Sequence, residues 1–98
     1  MKNKSYNKKE TFPHFRQYKK SNHPALIVGE QSTDKKEEWK YRKVSHKDRD
    51  GRHLNEKVFP NPNPKDKRPM YIGKRVRHDE KKFFSSWKYP WNYKQKKK

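Results

Sequence analysis

The sequence contains no cysteine, and this absence excludes both a disulfide framework and a thiolate metal site. It has only three glycines, widely separated, so neither a phosphate-binding glycine loop nor a Gly-x-Ser-x-Gly nucleophile elbow can form. No apolar run approaches the roughly 20 residues of a membrane span, and no amphipathic helix of useful length is present. Because residues 1–6 are basic and lack the apolar stretch of a signal peptide, we expect a cytoplasmic protein without membrane contact.

Acidic residues are also scarce. The 98-residue chain carries 29 Lys and Arg against 11 Asp and Glu, a formal net charge of +18. This excess indicates a polyanionic partner, and we expect RNA or DNA, with RNA favoured. Hydrophobic residues make up only 26% of the chain, yet aromatic residues, which dominate burial in small cores, reach 14%. We therefore predict basic arms over residues 1–21 and 94–98 around a small domain over residues 22–93.

Three segments of this domain have strand patterns. Residues 23–29 form a short apolar run with β-branched side chains, which predicts a strand buried on both faces. Residues 38–45 and 69–78 alternate between apolar or aromatic and charged side chains, which predicts half-buried strands. The predicted inward side chains of these two strands are Trp39, Tyr41, Met70, Ile72 and Val76.

The remaining segments predict one helix and one long connection. Asp79 is a suitable N-cap for a short helix that continues through Trp87. Residues 46–68 are polar and rich in Asn and Pro, and we expect their apolar side chains Leu54, Val58 and Phe59 to contact the core. The predicted fold class is mainly β, either a small SH3-like barrel or a strongly bent antiparallel sheet, with one short helix and flexible basic termini.

The outward faces of the predicted strands supply candidate nucleic-acid ligands. Lys and Arg side chains neutralise phosphates, and exposed aromatic rings stack on bases. The candidates, together with two lysines of the N-terminal arm, are Lys19, Lys20, Lys40, Arg42, Tyr71, Arg75 and Arg77.

The five histidines do not have the spacing of a metal site, and we expect neither a metal nor another cofactor. Cleavage of RNA without metal has simpler requirements, because the 2′-hydroxyl is the nucleophile and the protein supplies a proton acceptor, a proton donor and cations. His23, Ser45 and His46 are the candidate catalytic residues. The alternative interpretation is that His23 only precedes a strand and His46 only opens a loop.

The order of four short segments resembles the PemK/MazF toxin family. These are residues 23–28 (HPALIV), 44–46 (VSH) and 70–72 (MYI), the last leading into 75–77 (RVR). The resemblance covers about residues 22–88 and implies an SH3-like barrel that cleaves single-stranded RNA without metal. It also implies a homodimer controlled by an acidic antitoxin. By position, His23 stands where the family usually has a catalytic Arg, and Ser45 where it has a Thr or Ser.

Two non-catalytic hypotheses fit the same composition. The first is a ribosome-associated or phage or mobile-element accessory protein that orders its basic arms on nucleic acid. The second is an inhibitor that docks on a nucleic-acid enzyme, since positive charge alone does not distinguish an acidic protein surface from polyphosphate.

Overall fold

The computed structural model describes residues 11–93, which form a mainly β domain. The predicted fold class is confirmed, whereas the first ten residues of the predicted arm over 1–21 and the whole predicted tail over 94–98 lie outside the described residues. The helix within residues 11–93 has three residues, so nothing helical there is long enough to cross a membrane. The elements are β1 His14–Tyr18, β2 His23–Glu30, β3 Glu38–Ser45, β4 Arg49–Asp50, β5 His53–Leu54, β6 Glu56–Val58, β7 Met70–Ile72, β8 Arg77–Glu80 and the 3-10 helix η1 Lys81–Phe83.

The main sheet is antiparallel and is built around β3. On one edge β3 pairs with β2, which in turn pairs with β1. Its other edge is shared, because residues 38–41 pair with β8 whereas Val44 and Ser45 pair with β7. β6 extends the sheet beyond β7, and β4 and β5 form a separate two-stranded hairpin.

The chain that follows β8 returns to the outer edge of β1. After η1, Phe84 forms a bridge with Tyr18. Backbone hydrogen bonds continue this pairing, from Lys19 N–H to Phe83 O (2.8 Å), from Ser85 N–H to Gln17 O (2.9 Å) and from Tyr89 N–H to Phe15 O (2.9 Å). The edge of β1 is therefore occupied by backbone partners.

Two hydrophobic clusters lie on opposite faces of β2. One consists of Phe15, Leu26, Val44, Met70 and Ile72, and the other of Ala25, Ile27, Trp39, Tyr41 and Phe84. Successive side chains of a strand point to opposite faces, so β2 contributes to both clusters. The prediction of a strand buried on both faces is thus confirmed.

The third predicted strand and the helix differ from the structure. Residues 73–76 interrupt residues 69–78, so that β7 and β8 pair with different parts of β3, and Val76 is 52% exposed. Asp79 does not cap a helix, because it lies in β8 and accepts hydrogen bonds from the Tyr18 hydroxyl and the Lys20 ammonium. The helix ends at Phe83, where the backbone pairs with the end of β1 instead of continuing the helix.

The predicted arm and the predicted connection also contain sheet. Residues 14–18 form β1, and Phe15 is completely buried in the first cluster. Residues 46–68 contain β4, β5 and β6. Of the three apolar side chains expected to contact the core, Val58 packs on the first cluster, whereas Leu54 and Phe59 are 53% and 61% exposed.

Candidate nucleic-acid interface

A cleft of about 530 Å³ opens where β2 begins and β3 ends, beside the β4–β5 hairpin. Ala25 pairs with Lys43, and the same antiparallel register extended by two residues places His23 opposite Ser45. His46 follows directly, so the three predicted catalytic residues all line this one cleft. We call it the basic cleft, defined by His23, Lys43, Ser45, His46, Lys47 and Arg49.

The basic cleft has an excess of positive charge. Within residues 11–93, Lys43, Lys47 and Arg49 form no ion pair with a carboxylate. The carboxylate in the lining, that of Asp50, lies 3.5 Å from the guanidinium of Arg77. The three cations therefore face the cleft without an internal counterion, which suits an anionic ligand.

His46 is held by a carboxylate that the sequence analysis did not identify. Its Nε2 lies 2.7 Å from Oδ2 of Asp66, whose Oδ1 accepts hydrogen bonds from Nε and the backbone N–H of Arg68 at 3.1 and 3.0 Å. The Arg68 contacts hold the pKa of Asp66 well below its usual range, so this carboxylate stays charged. Asp66 thus fixes the orientation of the imidazole through Nε2, and within the described residues Nδ1 has no hydrogen-bond partner.

The Asn-Pro segment of the long connection places Asp66 in this position. The buried Asn61 donates from Nδ2 to the Arg68 carbonyl (2.8 Å) and accepts the Asn63 N–H at Oδ1 (2.8 Å). The Asp66 N–H then donates to the Asn63 carbonyl (3.1 Å). The sequence shows the rigidity of this segment, but the pairing of residues 46 and 66 depends on the folded sheet.

A second depression of about 520 Å³ is lined by Arg52, His53 and Leu54 of the β4–β5 hairpin and by Lys74 and Arg75, which follow β7. Gly51, at a φ of 65°, forms the hairpin turn, and a left-handed conformation favours glycine. Within the described part of the chain, the three strong cations of this depression form no ion pair. We call it the outer basic depression, defined by Arg52, His53, Leu54, Lys74 and Arg75.

One of the predicted nucleic-acid ligands, Arg75, lines the outer basic depression. Arg77 lines neither depression; it is half-buried, and its guanidinium lies 3.5 Å from the carboxylate of Asp50 in the hairpin. Sequence reasoning missed Lys43, Lys47, Arg49, Arg52 and Lys74. The signal that could have identified two of them is the Asp50–Gly51 turn with an arginine on each side.

The other predicted ligands line neither depression. Tyr71 is half-buried in β7, Lys19 is exposed, Lys20 pairs with Asp79 at 3.0 Å, and the Lys40 side chain lies against Gly29.

Arg42 has a structural position. Its Nε donates to the Gly73 carbonyl (2.6 Å), its Nη2 donates to Oε1 of Glu56 (2.7 Å), and its side chain is only 16% exposed. The guanidinium is therefore directed at protein acceptors instead of at an outer face.

Within residues 11–93, no group of three or more metal-ligating side chains is placed to hold a metal ion.

Comparisons with known proteins add no family assignment to this geometry. No protein-family model matches the chain, and no curated protein or solved structure shows significant similarity to it, so the resemblance to the PemK/MazF family stays a prediction.

Proposed function

We propose that the chain binds single-stranded RNA across the basic cleft and the outer basic depression. The observation that carries the proposal is that six cations, which have no ion pair within residues 11–93, surround one short hairpin. They are Lys43, Lys47, Arg49, Arg52, Lys74 and Arg75. A phosphate backbone that runs along the hairpin through both depressions supplies the missing counterions.

The volume of the basic cleft, about 530 Å³, is in the range of sites that enclose one small ligand, so a single nucleotide fits. One feature of the lining favours RNA over DNA. Ser45 lines the cleft, and its hydroxyl can exchange a hydrogen bond with a ribose 2′-hydroxyl, which DNA lacks.

A second function, cleavage of the bound RNA without metal, is favoured by the position of the two histidines. In this proposal His46 accepts the 2′-hydroxyl proton at Nδ1, while Asp66 holds the resulting imidazolium. The 2′-oxygen attacks phosphorus, the bond to the 5′-oxygen breaks, and His23 donates a proton to that leaving oxygen. The products are a 2′,3′-cyclic phosphate and a 5′-hydroxyl, and the cleft cations stabilise the charged phosphorane.

The biological setting follows from which of the two functions holds. With cleavage, we propose a cytoplasmic endoribonuclease toxin of the PemK/MazF kind, in which an acidic antitoxin would cover the cleft cations and a second copy would form a homodimer. With binding alone, the same surface fits a ribosome-associated or mobile-element accessory protein, or an inhibitor docked on a nucleic-acid enzyme.

The binding test compares two double variants of equal charge. Lys47→Ala/Arg49→Ala removes two cleft cations, whereas Lys35→Ala/Lys36→Ala removes two exposed lysines before the opposite end of β3. In fluorescence anisotropy with labelled single-stranded RNA, we expect the cleft variant to lose at least about tenfold in affinity, more than the control loses. Equal losses would refute the assignment to the cleft, and absence of binding by the natural chain in dilute salt would refute the binding function.

The cleavage test uses the same RNA with a chelator and follows product formation on a denaturing gel. We expect cyclic-phosphate products from RNA and none from the matching DNA, since DNA lacks the nucleophile. Asp66→Asn should slow cleavage while RNA affinity stays near that of the natural chain, because Asp66 acts through His46. If RNA stays intact with excess protein, the cleavage function is refuted and the binding function is untouched.

A further inference from the structure

Aromatic side chains occupy every second position at the C-terminal end of the described chain, and three of them form a ladder of rings. Tyr89 and Trp91 stack at 4.2 Å with an interplanar angle of 7°, and Trp91 contacts the buried Phe15 at 5.5 Å. At the outer end, Trp87 contacts Tyr89 edge to face at 4.8 Å. We call Trp87, Tyr89 and Trp91 the aromatic ladder.

The ladder has a fixed backbone and an exposed end. The Tyr89 N–H donates to the Phe15 carbonyl (2.9 Å), and the Ser85 hydroxyl donates to the Trp87 carbonyl (2.8 Å). Trp87 is nevertheless 49% exposed and belongs to neither hydrophobic cluster. A large ring held in place but left half in water offers an apolar surface to a ligand without first having to be ordered.

We infer that Trp87 stacks on an unpaired base of the bound RNA, an inference that rests on the proposed RNA-binding function. The net charge of +18 selects an anionic ligand, and a nucleotide combines such charge with an aromatic face. The exposed Lys88, which has no ion pair within residues 11–93, lies next in the chain and is available to the adjoining phosphate. Because a base inside a duplex has no open face, this contact requires single-stranded RNA.

The test compares two exposed aromatic residues in anisotropy titrations of the full chain with single-stranded RNA. Trp87→Ala should weaken binding about 5- to 150-fold, the range for one base–aromatic stack, with an unchanged salt dependence because no phosphate contact is lost. Phe59→Ala, which removes a 61% exposed ring from another loop, should leave affinity unchanged. An RNA with an abasic nucleotide at the stacked position should bind the natural chain and Trp87→Ala equally.

Fluorescence gives a readout that does not depend on affinity. Binding should quench the tryptophan emission of the natural chain, and Trp87→Ala should lose this quenching, because Trp39 is buried and Trp91 is packed within the ladder. A thermal melt checks that the variant folds. If Trp87→Ala melts early, Trp87→Leu replaces it, because leucine keeps an apolar side chain without an aromatic face.

Failure of this inference differs from failure of the proposed function. If the natural chain binds RNA and Trp87→Ala binds it equally well with the same quenching, the stacking contact is refuted and RNA binding stands. Binding of duplex RNA as tightly as single-stranded RNA would also refute the contact. If the natural chain binds no RNA, both statements fall together.

Discussion

Replacing Arg42 with methionine separates a structural role from the RNA-binding role that the sequence predicts for it. The substitution removes the hydrogen bond to the Gly73 carbonyl and the ion pair with Glu56, while methionine keeps most of the apolar stem. Glu56 also accepts a hydrogen bond from the Tyr93 hydroxyl (2.8 Å). One change therefore disrupts a network that joins β3, β6 and the C-terminal segment.

The exposure of the two charged groups sets the expected magnitude. Exposed ion pairs contribute about 0–1 kcal/mol, and breaking a fully buried pair costs about 3–5 kcal/mol. The side chains of Arg42 and Glu56 are 16% and 28% exposed, so an intermediate loss of about 2 kcal/mol is expected. For a domain of this size that loss lowers the melting temperature by about 8–16 °C.

A comparison of Arg42→Met with Arg75→Ala distinguishes a loss of stability from a loss of RNA binding. Arg75 is exposed in the outer basic depression, so its removal should change the free energy of unfolding by less than about 0.5 kcal/mol but weaken RNA binding. Arg42→Met should lower the free energy of unfolding and leave RNA affinity nearly unchanged. If Arg42→Met keeps its melting temperature and loses RNA affinity, the structural interpretation of Arg42 is refuted.

The pH dependence of Arg42→Met provides an independent check. Burial acts to raise the pKa of Glu56, but the hydrogen bonds from Arg42 and Tyr93 outweigh it and hold this pKa below its ordinary value of 4.5. A carboxyl group with a lowered pKa stabilises the fold above its unfolded-state pKa and loses that contribution as pH falls through the folded-state value. In urea unfolding, the stability difference between the natural chain and Arg42→Met should therefore narrow as the pH falls below about 5.

Three further predictions concern the core, the hairpin and the ligand. Ile27→Asp places a charge in a fully buried position of β2 and should abolish folding by circular dichroism, whereas Ile27→Val should cost only about 0.5–1.5 kcal/mol. Gly51→Ala should lower the free energy of unfolding in urea by about 1 kcal/mol, because φ is 65° and alanine is strained in this conformation. The added Cβ would have no atom within 4 Å, so no steric clash adds to this cost, and an unchanged stability would contradict the turn geometry. If the six cations each neutralise one phosphate, log affinity should fall with log salt at a slope of about −4. Lys47→Ala/Arg49→Ala should reduce the magnitude of this slope by about 1.4, and an unchanged slope would exclude these two phosphate contacts.

The sequence predicts those strands whose apolar or alternating pattern is complete within the strand itself. β2 and β3 carry their apolar run and their alternation within eight residues each. β1 does not, because His14, Phe15 and Arg16 are all buried in succession. The Arg16 guanidinium donates a hydrogen bond to the Ser85 carbonyl (2.8 Å), 69 residues along the chain. No local sequence pattern predicts so distant a partner.

The candidate site could likewise be predicted from the sequence only in part. His23 and Ser45 line one cleft because they lie at the same end of two adjacent antiparallel strands, which the sequence predicts as a hairpin. The register of this pairing cannot be predicted from the sequence pattern, because it shifts between Ile27 and Gly29.

The cations cannot be assigned in that way. Arg42 alternates outward from β3, yet Gly73 and Glu56 cover that side, whereas Arg49 comes from a segment without a clear pattern and faces the basic cleft. A net charge of +18 therefore favours a polyanionic ligand without identifying it, and the availability of protein acceptors around each guanidinium decides which cations are left to bind one.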